Sequence, residues 1–153
     1  MDMPKIGPGH AQLARLTGEW SGDETVAPSP WGAGGPAHGR FSHRIELDGM
    51  ALVQDYVEEK DGRTVFRAHG VFMLDPATGD TLWWWFDSLG FPPEPARGLW
   101  HGDSLLLEKN TPRGSARYRF DVGGGAFDFR IENRLGAATQ FSEFMHGRYL
   151  RHV

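Results

Sequence analysis

From Gly18 onward the chain is cut into short strand-like runs, each closed by a turn signal, and this punctuation limits the fold more than any single motif. Asp48-Gly49 and Asp61-Gly62 are two-residue hairpin signals. Pro76-Ala77-Thr78-Gly79, Gly102-Asp103 and the glycines around Gly124 mark further tight turns. Between them lie runs such as FSHRIEL, ALVQDYVEEK, VFRAHGVFML, SLLLEK and ARYRFDV. In AFDFRIEN, Phe127, Phe129 and Ile131 alternate with Asp128, Arg130 and Glu132, the period of a half-buried strand. About ten strands without intervening helices predict an antiparallel barrel or sandwich.

The one convincing helix precedes them, in GHAQLARLTG, with Leu13 and Leu16 on one side. Parity then orients the barrel. In an up-and-down meander successive connections alternate between the two ends, so the long first and fifth connections, APSPWGAGGPA and LGFPPEPARG, share an end. With an even strand number the first and last strands run antiparallel and close the sheet. The expectation is a cup. Residues 1–16, the leader and helix, plug its base, and loops carrying Trp31 and Phe91 rim its mouth.

At 153 residues the chain reads as one domain, 1–153, able to bury a core without staples. Its lack of cysteine excludes disulfides, thiolate catalysis and cysteine-ligated metal. A net charge of −4 argues against general affinity for nucleic acid or anionic membrane. With neither a signal-peptide pattern nor a membrane-length apolar run in view, a cytoplasmic protein is expected. Arg113, Arg117 and Arg119 read as a solvated strand face.

The run TLWWWFDS is the main functional signal. Neighbouring strand side chains point to opposite faces, so Trp83 and Trp85 share one face with Asp87, while Trp84 joins Leu82 and Phe86 on the other. Trp83 and Trp85 are expected inside. Trp84 then needs an outer cover, and a second subunit is the simplest one, which makes a homodimer the expected assembly.

The residues after the helix, LTGEWSGDET, hold Gly18-x-Trp20, which is similar to the first-strand signature of lipocalin-like barrels. That resemblance implies a floor tryptophan at Trp20 beneath a last-strand arginine, Arg148 or Arg151, with Arg148 favoured. The blocks LTGEW, LDGMALVQDY, GVFMLDPATGD, WFDSLG, GLWHGDSLLL and GRYLR follow in an order that resembles a bacterial lipocalin-like family, domain of unknown function 1579. This implies an all-β fold: a single antiparallel calycin-type barrel with an internal cavity. More distantly, His146-Gly147-Arg148-Tyr149 near the terminus is similar in spacing to the last strand of nitrobindins, which implies haem held by His146 and nitrogen-oxide chemistry.

The residues themselves give less chemistry. His146 shares a face with Phe144 and Arg148, and points into the barrel if Arg148 caps Trp20. It then serves as a core histidine, a ligand contact or an iron ligand. His38 and His43 lie on opposite faces of one strand, so no metal site is expected there, and His69 is expected to face solvent. GAGGPAHG lacks the lysine of a phosphate loop, no Gly-x-Ser-x-Gly occurs, and no acid–base pair stands at informative spacing, so an enzyme is unsupported. The expected role is binding a small, mostly apolar molecule through Trp83, Trp85, Asp87, His146, Tyr56 and Trp31, with no cofactor. The alternatives are the haem protein and a dimeric module whose barrel is filled by its own side chains.

Overall fold

The computed structural model describes residues 2–153. A seven-residue helix α1 (Pro8–Ala14) precedes β1 (Gly18–Val26), β2 (Gly35–Glu46), β3 (Ala51–Lys60), β4 (Arg63–Leu74) and β5 (Thr81–Asp87). Then follow β6 (Ala96–His101), β7 (Ser104–Thr111), β8 (Gly114–Gly123), β9 (Ala126–Leu135) and β10 (Ser142–Arg151). Every strand pairs antiparallel with its chain neighbour, and β1 pairs with β10, so the ten strands close into a barrel. The expected strand number and closure hold. No helix among the described residues is long and apolar enough to cross a membrane.

Turn chemistry places the ends. Asp61 and Gly62 both take positive φ, +51° and +74°, as a two-residue turn matched to strand twist requires, and join β3 to β4. The odd-numbered connections, including 27–34 and 88–95, gather at one end, and the even-numbered ones at the other. Helix α1 lies at the second end. Arg15 bonds Asp103 there at 2.9 Å, and Gln12 donates to the Gly102 carbonyl at 3.3 Å. The helix is shorter than the sequence suggests, because Gly18 at φ +132° already turns the chain into β1.

The floor is built on the helix end. Trp20, 1% exposed, donates its Nε1–H to the Leu16 carbonyl at 2.7 Å and meets Phe127 edge-on at 4.9 Å. The arginine over its ring is Arg151, at 4.4 Å from the centroid, where the register sets Trp20 opposite Arg151. Arg148 instead points outward and bonds Asp128 at 2.9 Å. The phase of β10 explains both. A β-bulge between Glu143 and Met145 lets Phe144 and Met145 both face the interior, so Gly147 and Tyr149 follow inward, and His146 and Arg148 go out.

A second buried chain of hydrogen bonds ties this floor to the tryptophan strand. The Leu16 carbonyl also accepts from His43 Nδ1 at 2.9 Å, which fixes the proton on that nitrogen. Nε2 is then the acceptor for Gln54 Nε2, at 2.9 Å. Gln54 Oε1 in turn accepts from Trp83 Nε1 at 3.1 Å. Burial drives the His43 pKa down from 6.5 to about 3, so the imidazole stays neutral.

Candidate functional site

Above this floor a cavity of about 440 Å³ occupies the mouth half of the barrel. Its back wall is aromatic. Trp83 meets Trp85 at 5.1 Å and Tyr118 edge-on at 4.9 Å, while Tyr56 and Phe66 flank Trp85 at 5.8 and 6.5 Å. Strand alternation puts Trp83 and Trp85 on this face, and the pairing of β5 adds access. Only Thr81, Leu82 and Trp83 pair with β6, so from Trp84 onward the β5 edge opens toward the 88–95 loop. Asp87 sits on that edge, accepting from Trp85 Nε1 at 3.0 Å and from the Leu89 amide at 2.9 Å. On the opposite rim Trp31, 42% exposed, meets Phe144 edge-on at 5.7 Å.

Of the six expected site residues, Trp83, Trp85, Asp87, Tyr56 and Trp31 line this one cavity. His146 does not. It lies on the outer surface, half-exposed, with Nδ1 2.7 Å from Glu143 Oε2. The expectation made its inward orientation conditional on Arg148 capping Trp20; Arg151 takes that place, and the bulge separates His146 from the face of Phe144. The arrangement does not fit haem ligation: among the described residues no histidine lines the cavity, and both ring nitrogens of inward-facing His43 are engaged in the floor. On the outside, Trp84 is half-buried beside Val71, its register partner, and Phe86 is 45% exposed. His69 faces out and bonds Asp55 at 2.8 Å.

The structure also assembles polar groups that no sequence spacing announces. Glu24, 3% exposed, sits behind the cavity wall. Tyr56 Oη lies 2.8 and 2.7 Å from its two carboxyl oxygens and 3.0 Å from Glu58 Oε2, and Tyr149 Oη donates to Glu24 as well. Burial, then the hydrogen bond with Glu58, raises the Glu24 pKa from 4.5 to about 8, so at neutral pH this acid is mainly protonated. Burial and the neighbouring Glu24 also push Tyr56 and Tyr149 upward, keeping both phenols neutral. Gly39 and Gly147 make the space: a methyl at either position would run into Glu24 or the Tyr149 hydroxyl. Glu24 was readable only as an inward position in phase with Trp20. Its partners stand 32 and 125 residues away, at Tyr56 and Tyr149.

Fold and site together define a closed ten-stranded antiparallel β-barrel, plugged at one end around a cavity at the other, an architecture consistent with a lipocalin-like barrel. Among solved structures the chain is similar to the crystal structure of Rv2717c from M. tuberculosis, with a TM-score of 0.72 over 97% of this chain and 100% of that one. Identity between the two is 16%, so the likeness shows the fold alone. No protein-family model matches the chain, and no curated protein matches it in sequence.

Proposed function

We propose that this protein binds a small, mostly apolar molecule in the mouth cavity. The observation that carries the reading is the aromatic wall of Trp83, Trp85 and Tyr118 around about 440 Å³ of space. Small-molecule sites run from roughly 300 to 1,000 Å³ and are mostly apolar with a few placed polar groups, as Asp87, Tyr56 and Glu58 are here. Trp83 spends its N–H on Gln54 in the floor, so it offers a ligand its ring; Trp85, half-buried at the open edge, is the adaptable wall. The order of sequence blocks supports kinship with the lipocalin-like family of domain of unknown function 1579, whose fold fits this use.

The neutral dye N-phenyl-1-naphthylamine tests the reading. The wild type should bind it with enhanced fluorescence, and Trp85→Ala should weaken that binding about tenfold, the effect of truncating one well-placed aromatic anchor. The urea midpoint should move little, since Trp85 is only half-buried. Absence of dye binding, with native mass spectrometry finding no co-purified molecule, would remove the reading. The expected homodimer rests on Trp84 needing an outer cover, and the register of the sheet sets Val71 and Val53 beside it in the same outer row. Sedimentation at micromolar concentration decides it: Trp84→Glu should turn a dimer into a monomer, and a wild-type monomer refutes the assembly.

A further inference from the structure

The cavity wall holds both signs of charge, but they are not equally engaged. Asp87 accepts two hydrogen bonds, from Trp85 and from the Leu89 amide, and Glu58 lies within hydrogen-bond distance of Tyr56. Lys60 donates to the Gly34 carbonyl at 3.2 Å. Lys109 is different. It follows Leu105 and Leu107 on the inward face of β7, is half-buried, and has no hydrogen bond or ion pair among the described residues. Its Nζ lies over the Tyr118 ring, 5.8 Å from the ring centre. Arg113, from the β7–β8 turn, also lines the cavity and has no ion pair among the described residues; its guanidinium lies 4.6 Å from the Phe91 ring. Along the cavity wall Lys60, Lys109 and Arg113 outnumber Glu58 and Asp87, three cations to two anions, although the whole chain carries −4.

Resting on the cavity-binding reading, we infer that the ligand is an amphipathic organic anion: an apolar body against Trp83, Trp85 and Tyr118, and a carboxylate, sulfonate or phosphate head at Lys109 and Arg113. Holding an unpaired ammonium partly out of water is unfavourable, and an anionic head removes that penalty as it binds. Burial, then the neighbouring Arg113, lowers the Lys109 pKa more than the carboxylates of Asp87 and Glu94 raise it, so its positive charge is under-compensated where it stands.

Two dyes with one aromatic body separate the inference from the reading beneath it. 8-Anilinonaphthalene-1-sulfonate carries a sulfonate that N-phenyl-1-naphthylamine lacks. The wild type should bind the sulfonate about tenfold more tightly at low salt, with the preference shrinking as salt rises. Lys109→Gln should bring the ratio of the two affinities near one, and Arg113→Gln should lower it less. Trp85→Ala should weaken both dyes, marking the site as the cavity rather than the outer apolar row. Equal affinities in the wild type, or a preference that survives Lys109→Gln, would overturn the anion inference and leave the cavity reading standing. If neither dye binds, both fall.

Discussion

Gln54 is fully buried and uses both ends of its amide, one on His43 and one on Trp83, so its replacement has a definite consequence. Gln54→Leu keeps the approximate volume but strands an imidazole acceptor and an indole donor. Each buried unsatisfied group costs about 1–3 kcal/mol, so for the two together a loss of about 2–6 kcal/mol in urea melts is expected. A near-neutral effect would show that the relay does not hold the floor. At Glu24 the argument concerns space. Gly39→Ala places a methyl against its carboxyl, and destabilisation larger than that of Gly123→Ala, which meets open space, is the expected comparison. Much at this scale was legible and part was not. Alternation from Trp83 correctly put Trp85 and Asp87 in the cavity, because no irregularity interrupts β5. The meeting of Glu24, Tyr56, Glu58 and Tyr149 depends on three strands closing in one register, and no local spacing encodes that.

Among the elements, the ten strands and their odd–even connections were readable because turn residues carry their own backbone preferences. The bulge in β10 was not. Its extra residue falls in a run, SEFMHGRYLR, where nothing marks an irregularity, and one shifted residue exchanged the faces of everything after it. That single feature moved His146 out of the site and gave Trp20 to Arg151. The floor element is nevertheless tightly specified. Trp20 bonds the helix end, packs on Phe127 and lies under Arg151, so Trp20→Ala should cost about 3–5 kcal/mol, as for other buried large aromatics. A loss below about 1 kcal/mol would mean that helix α1 and the barrel are not joined through it. Arg148→Ala, which touches only the exposed Asp128 ion pair, should stay within about 0.5 kcal/mol and so separates the two arginines.

For the whole molecule, two buried groups with opposite shifts shape stability against pH. His43 is neutral in the fold down to about pH 3 and binds a proton in the unfolded chain below 6.5. The unfolded state therefore holds the extra proton between those values, and stability rises with pH there. Glu24 stays protonated in the fold up to about pH 8 and ionises in the unfolded chain above 4.5, so the folded state holds the extra proton and stability falls as pH rises through that window. From about 4.5 to 6.5 the two slopes oppose and cancel. Below 4.5 only the His43 slope remains, joined below 3.8 by Asp55, Asp75 and Asp121, whose carboxyls the fold holds under that value and whose stabilisation is lost on acidification. Above 6.5 only the Glu24 slope remains. The expected curve is a plateau from about 4.5 to 6.5 with a fall on each side, each slope near 1.4 kcal/mol per pH unit if one proton is involved. Glu24→Gln keeps the neutral shape of the side chain and should erase the alkaline fall, while the His43 slope, no longer cancelled, should extend the acid-side rise up to about pH 6.5. Urea melts of both proteins from pH 4 to 9 measure this directly, and an unchanged alkaline slope in Glu24→Gln would show that the buried carboxyl is not the group that binds the proton.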